Sequence, residues 1–258
     1  MEVDPLVYLD TNVVGEGDPI NKPTSARKHD INQDTEGNPK KHKPEAGDRL
    51  DPNLQVDLDN FRMQRLEESR QRIYIPVMAK PNLQARDDSL FPLMDKVQKF
   101  LAGQRQVFLV LGDSGAGKSI FNLELEHALW KDYKNDEPIP LYINLPYIDN
   151  PAQDLIEKQL QYHNFTEEQI LELKQHHQFI LICDGYDESQ LTVNLHQANR
   201  LNQRGQWRAK MVISCRSQFL GPIYTDRFVP QGREYDQRPA LDLFQEAVIA
   251  PFSKEQVK

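Results

Sequence analysis

The chain has 258 residues and a formal net charge of −8; hydrophobic residues make up 38% of it and charged residues 27%. Residues 1–60 carry 13 acidic and 7 basic side chains, so the rest is nearly neutral and lacks the overall basic charge of a nucleic-acid-binding surface. The two cysteines form neither a disulfide framework nor a zinc spacing. No signal peptide and no membrane-spanning apolar stretch is found, so we expect a cytoplasmic protein without nucleic-acid or membrane partners.

The N-terminal quarter of the chain has the composition of a segment without a core. No aromatic residue occurs between Tyr8 and Phe61, and prolines recur at 19, 23, 39, 44 and 52. So little apolar surface cannot offset the conformational entropy that folding removes. We therefore expect residues 1–65 to be a disordered N-terminal segment and residues 66–258 to fold as one domain.

Strand and helix patterns follow one another along the rest of the chain. A charged, exposed helix is predicted over 62–72, an extended segment over Ile73–Pro76 and a helix over 91–101. Strands are predicted at 107–111, 140–145, 178–183, 210–214 and 243–249, and helices between them at 119–133, 152–162, 167–175 and 190–203. This alternation predicts an α/β fold with a parallel sheet covered by helices on both faces. A capping box at Ser253 predicts a helix that begins where the sequence ends, as in a truncated protein.

A glycine-rich loop comes directly after the apolar strand at 107–111. Its glycines allow backbone N–H groups to turn inward around phosphate oxygens, and the helix that follows adds its positive dipole. In this pattern Lys118 reaches the β and γ phosphates and the Ser119 hydroxyl holds a magnesium ion. The predicted phosphate-binding residues are Gly112, Asp113, Ser114, Gly115, Ala116, Gly117, Lys118 and Ser119.

An acidic motif follows the apolar strand at 178–183. Asp184 comes at the carboxyl end of this strand, where ligands of parallel sheets bind, and we predict that it holds magnesium opposite Ser119. Asp187 and Glu188 follow within one turn, and a carboxylate here can polarise the water that attacks the γ phosphate. Glu188 is the preferred candidate for this catalytic role, with Asp187 as the alternative.

A third strand ends in a charged residue, Arg216, at the same predicted edge. A guanidinium bonds phosphate oxygens in pairs, so Arg216 could contact the γ phosphate and respond to its presence. Alternatively, Arg216 pairs with Asp187 or Glu188 and has a structural role only. We favour contact with the phosphate, because the strand that ends in Arg216 ends at the same predicted edge of the sheet as the phosphate loop.

These three motifs, GDSGAGKS, CDGYDE and SCR, together resemble the NACHT domain of the STAND class of P-loop NTPases. The resemblance covers residues 73–258 and implies a three-layer sandwich with a parallel five-stranded sheet in the order 5-1-4-3-2. It also implies that Tyr74, Ile75 and Pro76 lie beside the adenine. The sequence departs from the family by having Ser214-Cys215 where threonine-serine is commoner, and the winged helix with its ADP-locking histidine cannot be assigned in it.

The resemblance implies an ATP-binding molecular switch that binds ATP or ADP with Mg²⁺ and hydrolyses ATP slowly. Self-association or contact with downstream signalling proteins is expected through regions outside this chain. A phosphotransferase using the same loop is the alternative, but Arg204, Arg208 and Arg216 are too scattered to form its arginine-rich lid. A GTPase lacks support because no Asn-Lys-x-Asp motif follows the loop, and the intact site residues argue against a degenerate interaction module.

Overall fold

A seven-stranded mixed sheet organises residues 52–69, 74–221, 224–231 and 238–252, which are the residues that this computed structural model describes. The strands are β1 Met78–Lys80, β2 Phe91–Pro92, β3 Val107–Gly112, β4 Ile139–Asn144, β5 Gln178–Asp184, β6 Arg208–Arg216 and β7 Phe244–Ile249. The helices are α1 Pro52–Ser69, α2 Leu93–Ala102, α3 Lys118–Asp132, α4 Leu155–Tyr162, α5 Glu167–His176 and α6 Leu195–Ala198. The predicted α/β class is confirmed.

The strand order of the sheet is β2-β1-β7-β3-β6-β5-β4. Strands β7, β3, β6, β5 and β4 are parallel neighbours. Strand β1 pairs antiparallel with both β2 and β7. Because the five neighbours run in one direction, their carboxyl ends meet at one edge of the sheet, and the loops that follow them converge there.

Strand β3 is buried along its whole length, as a central strand of a parallel sheet should be. Its side chains alternate between two core clusters, with Val107, Leu109 and Leu111 in one and Phe108 and Val110 in the other. The first cluster includes apolar side chains of α1, α4 and α5, and the second includes those of α2 and the first half of α3. Helices therefore cover both faces of the sheet.

The predicted sheet of five parallel strands differs from this one, because β1 and β2 add an antiparallel edge. These strands have three and two residues, which is too short for the alternating pattern that reveals a strand in sequence. Ala79 of β1 pairs with Ile249 of β7, so backbone groups that would be exposed at the edge of the parallel strands find partners.

The predicted helix over 190–203 is wrong, because only Leu195–Ala198 is helical in this stretch. Gln190 and Asn202 have φ angles of 54° and 64°, and an α-helix cannot continue through such left-handed residues. The Asn202 side chain instead accepts a hydrogen bond from the backbone N–H of Ala209 (2.9 Å) and donates one to its carbonyl (2.8 Å). This polar contact gives the chain a loop where the sequence pattern indicated a helix.

Helix α1 begins at Pro52, so the predicted domain boundary at residue 66 falls inside a helix. Leu54, Leu58 and Phe61 of α1 are at most 5% exposed and belong to the first core cluster. Their spacing of four and three residues forms one apolar stripe on a helix. Composition averaged over the whole N-terminal segment hides this stripe, so composition alone predicts a boundary that lies after the true start of the helix.

Other expectations concern residues outside the described part of the chain. The disorder expected of residues 1–51, the position of Ile73 and the helix expected to begin at Ser253 all remain predictions. Among the residues that the structure describes, no helix is long and apolar enough to cross a membrane.

Replacing Phe61 with alanine should lower the free energy of unfolding by about 3–5 kcal/mol, since it opens a cavity in a packed core. The Phe61 ring meets the Trp130 ring edge-on with 5.5 Å between centroids. Urea unfolding followed by tryptophan fluorescence measures the change. Met63→Ala on the same helix is the matched control, because Met63 is 68% exposed and its loss should change stability by less than about 0.5 kcal/mol. Equal effects of the two variants would show that α1 is not docked on the core.

Candidate functional site

The loop between β3 and α3 turns the chain sharply at the carboxyl edge of the sheet. Ala116 donates its N–H to the carbonyl of Asp113 (3.2 Å), and Phe121 donates to the carbonyl of Gly117 (2.9 Å) as the first turn of α3 forms. Gly117 has φ 91°, where a side chain would be strained, so glycine is required at this helix start. The loop thus brings the N-terminus of a 15-residue helix to the end of a buried strand, an arrangement that suits an anion.

The Lys118 side chain folds back over this loop. Its Nζ donates to the carbonyl of Gly112 at 2.8 Å and to the carbonyl of Asp113 at 2.9 Å. Burial lowers the pKa of Lys118, and the negative charge of Asp187 opposes this shift. The ammonium group is therefore fixed beside the loop, within reach of any anion that the loop binds.

Asp184 at the end of β5 is held by hydrogen bonds from three elements. Its Oδ1 accepts from the Asn122 amide of α3 (2.8 Å) and the Ser214 hydroxyl of β6 (2.5 Å), and its Oδ2 accepts from the Tyr142 hydroxyl of β4 (3.1 Å). The residue is 7% exposed. A carboxylate has about four acceptor positions, so Oδ2 keeps one acceptor position in a fixed direction.

Gly185 directly after this carboxylate also has to be glycine. Its φ is 80°, and a β-carbon there would lie 3.1 Å from Cδ of Pro146. The turn that Gly185 makes is closed by a hydrogen bond from the Glu188 N–H to its carbonyl (3.1 Å). This tight turn brings Asp187 and Glu188 to the end of β6.

Arg216 at the end of β6 pairs with both of these carboxylates. Its Nε lies 3.0 Å from Asp187 Oδ2, and its terminal nitrogen donates to Glu188 Oε1 at 2.6 Å. Asp187 also accepts the backbone N–H of Arg216 (2.9 Å). The hydrogen bond that Arg216 donates to Glu188, and after it the negative charge of Asp187, raise the pKa of Arg216. The structure therefore shows the ion pairs that the sequence left as the alternative, and contact with a phosphate remains a prediction.

The two acidic side chains differ in exposure. The Asp187 side chain is 7% exposed and the Glu188 side chain is 53% exposed. Asp187 is thus a buried anchor for the end of β6, whereas Glu188 can leave Arg216 and reach a ligand or a water molecule.

The loop and the charged strand ends face each other across a cavity of about 260 Å³. Among the predicted site residues, those that line the cavity are Ser114, Gly115, Gly117, Lys118, Ser119, Asp184, Asp187, Glu188 and Arg216. Gly112 is buried at the end of β3, and Asp113 and Ala116 form the turn of the loop. Tyr74, Ile75 and Pro76 lie outside this cavity.

Oxygen ligands for a divalent cation are available in this cavity from Ser119 and Asp184. The amide oxygen of Asn122, whose nitrogen bonds Asp184, is a buried acceptor without a hydrogen-bond partner among the described residues. A hydroxyl and a carboxylate oxygen are among the ligands that Mg²⁺ prefers, so Ser119 and Asp184 fit this cation. Within the described ranges, no group of three or more His, Cys, Asp or Glu side chains could hold a metal ion alone. Water molecules and phosphate oxygens would complete the coordination of a magnesium ion here.

Four residues of this region were given no role in the site by the sequence analysis. Ser214 interrupts an apolar strand and Asn122 interrupts the apolar side of α3, and both interruptions are signals that sequence analysis can find. Tyr142 gives no such signal, because aromatic residues are common in strands. Phe252 lies near the loop, since a β-carbon on Gly117 would be 3.5 Å from its ring.

Comparison of the sequence with protein-family models and with curated proteins found no match. The resemblance to NACHT domains therefore depends on the three motifs and their order in the chain.

Proposed function

We propose that this chain is an ATP-binding molecular switch of the NACHT type, which binds ATP or ADP with Mg²⁺ and hydrolyses ATP slowly. One observation carries the proposal: the phosphate loop and the charged ends of β5 and β6 line the same cavity. At about 260 Å³ it is smaller than the roughly 300–1,000 Å³ of sites that enclose a whole small molecule. It therefore suits the phosphates and their cation, with the base bound beside it.

The sheet supports a P-loop NTPase fold with three layers. Numbered along the chain, the five parallel strands follow one another as 5-1-4-3-2. Their order reverses beside β3, whose chain successor β4 lies at the far edge. Ligands of open α/β sheets bind outside the carboxyl ends of strands at such a reversal, which is where the loop after β3 lies.

In this proposal the loop and Lys118 bind the phosphates. Phosphate oxygens would take the place of the two carbonyls that Lys118 now bonds, with the backbone N–H groups at the start of α3 as further donors. Ser119 and Asp184 would hold Mg²⁺, which when bound neutralises part of the phosphate charge. Asn122, Tyr142 and Ser214 orient the Asp184 carboxylate for this role.

The ion pairs of Arg216 provide the basis for a switch. A γ phosphate would compete with the exposed Glu188 for the Arg216 guanidinium, whereas the ion pair between Arg216 and the buried Asp187 would remain. Glu188, once released, can polarise the water that attacks this phosphate. Because ADP has no γ phosphate, ADP leaves the Glu188 pair intact, and the two nucleotides favour different states by their different contacts.

The partners of the switch are also part of the proposal. The ATP state would favour self-association, or contact with downstream signalling proteins, through regions outside this chain. Hydrolysis of ATP would return the protein to the ADP state. Because it only has to reset the switch, a slow reaction is sufficient.

The base would lie beside the loop, against the apolar side chains around Gly117. A β-carbon on Gly117 would be 3.5 Å from the Phe252 ring and 3.7 Å from Val77 Cγ1. Tyr74 and Phe252 pack at the edge of the second core cluster, and Ile75 is 40% exposed. An apolar surface of this kind binds a base through van der Waals contact with its flat ring, which suits adenine.

ATP should bind at least about tenfold more tightly than GTP, because the additional polar groups of guanine would lose water without gaining partners. Titrating the protein with fluorescent analogues of each nucleotide in Mg²⁺ gives both affinities. The same titrations in EDTA serve as the control for the part that magnesium contributes. A preference for GTP would contradict the adenine assignment, and weak binding of both nucleotides would contradict the proposed function.

A further inference from the structure

A buried ion pair joins α1 to the helix that follows the phosphate loop. Arg65 of α1 donates through Nε to Glu126 Oε1 at 2.8 Å and through a terminal nitrogen to Oε2 at 2.6 Å. The two side chains are 12% and 4% exposed. Glu68 pairs with Arg65 from its solvent side. Two hydrogen bonds between one guanidinium and one carboxylate fix the relative orientation of the two groups. Removal of either side chain leaves a buried charge without compensation.

The contacts continue from this ion pair to the carboxylate at the end of β5. The guanidinium carbon of Arg65 lies 5.8 Å from the centre of the Tyr142 ring, and the Tyr142 hydroxyl donates to Asp184 Oδ2 at 3.1 Å. Helix α3 supports both ends of the path, since Asn122, one turn before Glu126, bonds the same carboxylate.

We propose that α1 is energetically coupled to the cation site, with Arg65 and Tyr142 as positioning residues that hold Asp184 ready for Mg²⁺. The inference rests on the proposed function, because it assigns Mg²⁺ to Asp184. It adds that docking of α1 and binding of Mg-nucleotide strengthen each other.

The physical reason lies in the contacts that α1 makes beside two partners of Asp184. When α1 is docked, Arg65 neutralises Glu126 of α3 and lies beside the Tyr142 ring, whose hydroxyl donates to Asp184. If α1 separates, Glu126 loses its partner one turn from Asn122, and the Tyr142 ring loses the arginine beside it. Two of the side chains that orient Asp184 are then held less firmly. Metal affinity depends on outer partners, the residues that bond a metal ligand without touching the metal. Loss of such a residue commonly weakens metal affinity by roughly 10–100-fold.

The chain offers a matched control on the same helix. Arg62 donates to the carbonyl of Lys131 at 3.0 Å and lies 5.8 Å from the Tyr133 ring, so it also joins α1 to α3 over a tyrosine. Neither Lys131 nor Tyr133 lines the cavity. Arg65→Gln and Arg62→Gln each remove a contact between α1 and α3 beside a tyrosine ring, but only the first, a buried ion pair, leads to Asp184.

The measurement is the ratio of the affinity for a non-hydrolysable ATP analogue in Mg²⁺ to its affinity in EDTA. Tyr142→Phe should lower this ratio about tenfold, as expected for an outer partner of a metal ligand. Arg65→Gln should lower it about fivefold, at the lower end of coupling between sites, and Arg62→Gln should leave it unchanged. A structural role alone would lower the melting temperature of a variant without changing the ratio.

Coupling has to be reciprocal, which gives a second measurement on the full chain. Adding Mg²⁺ and the ATP analogue should slow hydrogen exchange of the α1 amides about fivefold, and Tyr142→Phe should abolish this protection while the α3 amides stay protected. If Arg65→Gln fails to fold, Tyr142→Phe decides the question by both measurements. An unchanged ratio in Tyr142→Phe would overturn the coupling and leave the proposed function standing. Failure of the wild-type protein to bind the analogue would overturn both.

Discussion

Replacing Lys118 with alanine is expected to reduce the affinity for ATP by roughly 10–100-fold, because it removes hydrogen bonds from a cation to the phosphates. The structure supports this role because Lys118 lines the cavity and its ammonium donates to the carbonyls of Gly112 and Asp113 in the loop. Isothermal titration with ATP and Mg²⁺ measures the effect. The heat of binding and the affinity should both fall, while the melting temperature without nucleotide changes little.

Lys158→Ala is the matched control for this variant. Lys158 also donates to two loop carbonyls, those of Asp149 at 2.9 Å and Asn150 at 3.2 Å, but it does not line the cavity. Its loss should therefore leave ATP affinity unchanged. If both variants bind ATP like the wild type, the loop is not the phosphate site and the proposed function loses its main support.

Replacing Glu188 with glutamine should lower the rate of ATP hydrolysis by roughly 100- to 10,000-fold, the usual contribution of a general base. The substitution keeps size and hydrogen bonding but removes the charge that polarises water. ATP affinity should remain within a few fold of wild type, so the variant accumulates with ATP bound. Phosphate release over hours, together with the ATP content of the purified variant, tests both expectations.

Asp187→Asn separates the two acidic candidates. Asp187 is buried and accepts from the Arg216 backbone as well as its side chain, so this variant should lose stability and retain hydrolysis at low temperature. The opposite pattern, with hydrolysis lost in Asp187→Asn and kept in Glu188→Gln, would exchange the roles of the two residues. Arg216→Lys tests the switch, because a lysine keeps the charge but cannot bond two partners in the same fixed geometry.

Sequence alone located the features that depend on residues close together in the chain. The glycine-rich loop, its flanking strand and helix, and the acidic turn after β5 can each be recognised within about ten residues. Buried parallel strands are continuous apolar runs, so β3, β4, β5, β6 and β7 were predicted within two residues at each end. The reason is that backbone conformation, period and turn chemistry are local properties.

Sequence reasoning failed where distant residues decide the outcome. Strand β1 forms because β7 offers it an edge, and β2 in turn pairs with β1. Helix α1 is fixed by Phe61 against Trp130 and by Arg65 against Glu126, contacts that span more than 60 positions in the chain. None of these partners can be inferred from the segment itself.

The candidate site divides along the same line. The residue types at 118, 119, 184, 187, 188 and 216 are determined by the sequence, and so is their position at strand ends and in the loop. Only the tertiary structure decided that Asp187 is the buried anchor and Glu188 the exposed partner of Arg216, and that Tyr142 supports Asp184. Exposure and pairing depend on which strands become neighbours, and that choice is made by packing of the whole sheet against its helices.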